Sequence, residues 1–174
     1  TGALRRIAAV GSDEIRQQLL RPILSGERFT TLGISHLTTS RRHLAKTALR
    51  AEATDHGFRL DGFSPWVTGG IEADWIVTGA QLDDCTQILI VLPTDLPGVR
   101  CDEPAHLIGL TGSYTGAVRM ENVEVDRMWL LAGPEENVIR GATGASTGGL
   151  QTTALAIGVA HSAIDFIETE GEQR

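Results

Sequence analysis

The stretch GFRLDGFSPWVTGGIEADW, residues 57–75, decides the fold of this chain. It opens as a strand after the tight His56-Gly57 turn, runs to a Trp66-Val67-Thr68 edge flanked by small residues, and leads into a second apolar strand at Trp75. Just before it, Leu49, Ala51 and Ala53 alternate with Arg50, Glu52 and Thr54, the period of a sheet with one wet face, so residues 48–63 read as a β-hairpin.

Short strands are predicted on both sides, at 30–36, 48–54, 58–63, 75–80, 88–93, 99–101, 106–107 and 117–125, separated by Gly, Pro, Asp and Asn. That texture predicts an antiparallel β-barrel or sandwich. Helical signals lie only at the ends. Ser12 is an N-cap candidate ahead of Asp13 and Glu14, and Ile15, Leu19 and Ile23 share one face, predicting a helix over 12–24. From Leu150 onward, Ala154, Ile157, His161, Ile164 and Glu168 fall on one stripe of a second helix. The expected class is α+β, divided at 1–28, 29–133 and 134–174.

The 174 residues suffice for one sizeable core, and the formal charge of −7 excludes a nucleic-acid footprint, which needs clustered cations. Arg41, Arg42 and Lys46 read as a solvated loop. Cys85 and Cys101 have neither metal-ligand nor disulfide-framework spacing, which points to a reducing, cytoplasmic compartment and to no metal site. No apolar run reaches the roughly 18 residues of a membrane span. A start at Thr1-Gly2 and an end inside a helical pattern predict a piece of a longer protein.

Four ordered patches resemble the acyl-CoA dehydrogenase family. The run 56–77, centred on Trp66-Val67-Thr68, is similar to its Trp-Ile-Thr flavin-contact signature. LRPILSGE at 20–27 resembles the lead into its β-domain, GLTGSYTGAVRMENVEV at 109–125 the close of that domain, and AIGVA at 156–160 with Ala163, Ile164 and Asp165 its first carboxy-terminal helix. Asp126 stands where the family has Pro. The resemblance implies the end of an amino-terminal helical domain, a complete β-domain and the first helix of a carboxy-terminal bundle.

It also implies an oxidoreductase carrying FAD, which oxidises the Cα–Cβ bond of an acyl-CoA thioester with hydride transfer to flavin N5, in a homodimer or homotetramer. Trp66, Val67 and Thr68 would contact the ring, Ile34 and Ser35 its pyrimidine side, and Ser40 a phosphate. The loop ISHLTTSR at 34–41 resembles the family's Thr-Glu-Pro loop with Ser35 for Thr, His36 for Glu and Leu37 for Pro; His36 is either a substrate contact or a locally hydrogen-bonded residue. Ser146 and Gly149 replace the Asp and Arg with which many members hold acyl-CoA, and no acid in the chain matches the family's catalytic base. Two other readings remain open on these residues: a flavin-dependent monooxygenase of the same fold, and a non-catalytic β-barrel binding module.

Overall fold

The computed structural model describes residues 2–38, 48–141 and 150–172. The chain divides into two compact units, Thr1–Gly144 and Ala145–Arg174. The first holds α1 (Gly2–Val10), α2 (Asp13–Leu24), β1 (Thr30–Gly33), α3 (Ser35–Thr38), β2 (Leu49–Ala53), β3 (Gly57–Thr68), β4 (Trp75–Gln81), β5 (Gln87–Pro93), β6 (Val99–Cys101), β7 (Thr115–Asp126), β8 (Leu130–Glu135) and α4 (Val138–Gly141). The second is the single helix α5 (Leu150–Glu172). No helix is long and apolar enough to cross a membrane among the described residues.

The eight strands form one mixed sheet in the order β6-β7-β3-β2-β4-β5-β8, with β1 paired to β4. The sheet is open, not a closed barrel. Most pairings are antiparallel, but β1 runs parallel to β4, and β2 meets β4 in parallel at Arg50 and Gln81. Leu49, Phe58, Leu60, Val118, Met120 and Val123 from the β2-β3-β7 half share a core with Ile76, Ile88, Ile90 and Leu92 from β4 and β5, so the sheet folds over on itself. The opposite faces of β4 and β5, through Val77, Leu89 and Val91, pack against Ile7, Ile15 and Leu19 of the helices. Burial on both faces explains why QILIVLP in β5 is a continuous apolar run rather than an alternating one.

Ser12 caps α2 as its position predicts, accepting a hydrogen bond from Ile15 N at 3.2 Å. The 48–63 hairpin forms, with Ala51 opposite Leu60. Several features differ from the sequence reading. The strand expected at 30–36 ends at Gly33, where α3 takes over from Ser35, residues 106–107 are not a strand, α1 and β8 were not expected, and β3 continues five residues beyond Phe63. Pro134 sits in β8, an edge strand among the described residues, at an irregularity of the β5–β8 register where it has no ladder partner.

Candidate functional site

The far end of β3 is where the predicted site residues gather. Along its first part Phe58, Leu60 and Ser64 face inward at even positions. Continued regularly, that alternation would bury Trp66. Instead the β3–β7 register shifts between Ser64 and Val67, a bulge containing Pro65, and the parity reverses. Trp66 is thereby turned outward, 54% exposed, and Thr68 follows on the exposed side. The same reversal drives the Val67 side chain fully into the core, so what Val67 can offer a ligand is its backbone.

β1 is stapled alongside this edge. The Thr31 hydroxyl donates to Thr68 O at 2.6 Å, and the Ser64 hydroxyl to Gly33 O at 3.1 Å. Gly33 O also accepts from the Thr78 hydroxyl at 2.7 Å. These bonds hold the end of β1 against Ser64 of β3, and Ile34 and Ser35 follow directly. Ile34 is only 5% exposed and packs into the helix-side core, while Ser35 opens α3, half-buried. Only glycine fits at position 33: a Cβ there would lie 2.9 Å from both Ser64 Oγ and Val67 Cγ2.

The entry to β1 is fixed by Asp74, to which sequence reasoning assigned no role. Its carboxylate accepts from Phe29 N at 2.7 Å and from Arg28 Nη1 at 2.6 Å. The Phe29 N–H, and then the Arg28 guanidinium, hold this carboxyl below the usual carboxylate range.

His36 turns toward the sheet. Its Nε2 lies 2.6 Å from Gly79 O, a group that can only accept, so Nε2 carries the hydrogen. Nδ1 lies 3.4 Å from Ser64 Oγ, within reach of the hydroxyl that also addresses Gly33 O. Burial pushes the imidazole pKa down. His36 thus ties the start of α3 to β4 and β3. Ser40, Ser146 and Gly149 lie outside the described residues, as do Arg41, Arg42 and Lys46.

Beside Thr68 lies a group of hydroxyls that spacing did not single out. Thr68 Oγ1 is 3.1 Å from Thr115 Oγ1, which is 2.8 Å from Ser113 Oγ. Gly69 N donates to both Ser113 O, at 3.1 Å, and Tyr114 O, at 3.0 Å. Leu110 and Tyr114 hold positive φ in this loop, and Ile108, Leu110 and Tyr114 project outward. The signal in the sequence was the alternation Thr111, Ser113, Thr115, ahead of a strand.

Away from this edge, Arg50 pairs with Asp83 at 2.9 Å and Arg59 with Glu124 and Glu52 at 2.7 and 3.1 Å. Arg50, Arg59, Glu52 and Asp83 line a surface depression of about 210 Å³ near the hairpin end of β3. Among the described residues, no three His, Cys, Asp or Glu side chains gather as metal ligands.

No family model matches the chain. Its relatives nonetheless agree. It is 29% identical over 162 residues to a protein named probable acyl-CoA dehydrogenase YngJ of Bacillus subtilis, a match covering 89% of this chain and 42% of the relative. Against the mitochondrial short-chain specific acyl-CoA dehydrogenase of Bos taurus it is 25% identical over 174 residues, covering 97% of this chain and 42% of that one. A glutaryl-CoA dehydrogenase of Mycobacterium smegmatis, solved in complex with FADH2, superposes with a TM-score of 0.64 at 26% identity, covering 74% of this chain and 33% of the other. Over most of its length the chain is similar to acyl-CoA dehydrogenases. It corresponds to that fold's middle domain and spans about 42% of the length of these two curated relatives.

Trp66 presents a flat indole and Thr68 a hydroxyl on the exposed side of β3. That pair suits a planar heteroaromatic ring with acceptors on its rim.

Proposed function

We propose that this chain supplies the flavin-ring shelf of an FAD-dependent dehydrogenase acting on an acyl-CoA thioester, in a homo-oligomeric parent protein. The observation that carries the reading is the bulge at Pro65, which turns Trp66 out of the core and onto the same exposed side as Thr68.

In this reading Trp66 packs on the isoalloxazine, Thr68 bonds at the ring nitrogen N5, and Ser35 with the backbone of Ile34 addresses the pyrimidine side, the Ile34 side chain being buried. Bound FAD supplies the hydride acceptor for oxidation of the Cα–Cβ bond. The chain's own contributions are binding, orientation and exclusion of water, with the heavy atoms of the site held in place before reaction. His36 holds the Ser35 corner through Gly79 O and Ser64, and Asp74 holds the strand that leads to it. The general base is contributed from outside this chain. The projecting Ile108, Leu110 and Tyr114 suit contact with further protein, in keeping with a homo-oligomer.

The test is the visible spectrum of the whole protein, then anaerobic addition of a panel of acyl-CoA thioesters. A flavin band bleached by one thioester class supports the reading. A band that none bleaches, but that turns over with oxygen once reduced, favours a monooxygenase, and lack of any flavin overturns the proposal.

A further inference from the structure

The three hydroxyls of Thr68, Thr115 and Ser113 are joined by two hydrogen bonds, at 3.1 and 2.8 Å, and neither bond has a donor fixed by chemistry. A hydroxyl carries one hydrogen and two lone pairs, so such a string has two self-consistent arrangements. In one, Ser113 donates to Thr115, Thr115 to Thr68, and Thr68 outward. In the other, Thr68 accepts from outside and donates to Thr115, which donates to Ser113. Passing between them rotates three hydrogens and moves no heavy atom.

The heavy atoms are held independently of that choice. Thr68 and Thr115 are cross-strand partners. Thr68 O accepts from Thr31, and Gly69 N is shared between Ser113 O and Tyr114 O. Thr115 O accepts from Ala105 N at 2.9 Å, and Thr115 is only 9% exposed. Ser113 is half-buried, so water can complete the outer end in either direction.

We infer that Thr115 and Ser113 are positioning residues for the Thr68 hydroxyl, forming a reversible string whose hydrogen-bond direction follows the oxidation state of the bound flavin. The inference rests on the proposed contact between Thr68 and N5. That nitrogen offers a lone pair in the oxidised ring and an N–H in the reduced one, so a group with fixed donor character suits only one of the two. The string suits both, because whichever role Thr68 takes outward, Thr115 takes the complementary role behind it.

The experiment compares Thr115→Val and Thr115→Ser in the whole protein, reading the affinity for oxidised FAD and the midpoint potential of the bound flavin. Valine keeps the shape of threonine and lacks the hydroxyl; serine keeps the hydroxyl. Thr115→Val is expected to weaken the oxidised and reduced complexes alike, each about fivefold, the fold-change of one ordinary hydrogen bond. The potential then stays in place, and Thr115→Ser restores affinity. Ser113→Ala, at a more exposed position, gives a smaller loss in both states and serves if Thr115→Val does not fold. A change confined to one state moves the potential, by about 30 mV for each tenfold, and overturns reversibility. Unchanged affinity in Thr115→Val overturns the positioning role, provided Thr68→Val weakens binding. No effect of Thr68→Val removes the underlying contact and the string with it.

Discussion

Removing the imidazole of His36 tests whether the corner that carries Ser35 is held as described. In His36→Leu, Gly79 O loses the donor at 2.6 Å while remaining in a buried stretch of β4. An unsatisfied buried carbonyl costs about 1–3 kcal/mol, and that is the expected loss of stability at neutral pH. His36→Gln, whose amide can donate to Gly79 O and accept from Ser64, should recover part of it.

The pH dependence is sharper. Burial lowers the folded pKa of His36 below its unfolded value of about 6.5, so the unfolded chain takes up a proton first as pH falls. The stability that this neutral histidine contributes is therefore complete above about pH 6.5 and is lost as pH drops from there through the folded pKa, with a slope of at most about 1.4 kcal/mol per pH unit. Ser64 Oγ can accept from a protonated Nδ1, so the penalty is the burial of charge rather than a missing partner. Thermal midpoints of the wild type and His36→Gln, measured from pH 8 to 5, isolate the term, since all other titrations are shared. A gap between the two that does not change with pH would refute the buried neutral imidazole.

Asp74→Ala removes the acceptor of Phe29 N and is expected to cost about 1–2 kcal/mol; Asp74→Asn, which retains an acceptor oxygen, should cost less. Because the folded pKa of Asp74 is lowered, chiefly by that N–H, its contribution is present above about pH 3.9 and disappears as pH falls through the folded value, so acid-unfolding curves of wild type and Asp74→Asn should converge at low pH. Gly33→Ala places a methyl 2.9 Å from Ser64 Oγ and Val67 Cγ2 and must push β1 from β3, costing about 1–3 kcal/mol and weakening FAD retention in a dialysis assay; wild-type retention would disprove the coupling of β1 to the shelf.

The parts of this fold that were legible in the sequence are those set by neighbours along the chain. Ser12 caps three residues ahead, Ala51 and Leu60 meet across a turn that His56-Gly57 closes, and β5 is apolar throughout because both of its faces are covered. The parts that were not legible depend on distant partners. His36 is decided by Ser64 and Gly79, 28 and 43 positions away, and Asp74 by Phe29, 45 positions away. Trp66 lies between these cases. Strict alternation from Phe58 and Leu60 places it in the core, and the family resemblance places it at the flavin; the two conflict until the one-residue bulge is seen. Pro65, which cannot donate to the ladder, is the local reason that the strand can slip there. The slip exchanges two side chains: it releases an indole to the surface and takes Val67 into the core in return. A protein that merely needed to bury its apolar residues would gain by the reverse arrangement, since a Trp offers far more area to bury than a Val. An exposed Trp66, obtained at the cost of a ladder irregularity and with Thr68 on the same side, is therefore an argument for a ligand at this edge that does not depend on the resemblance at all.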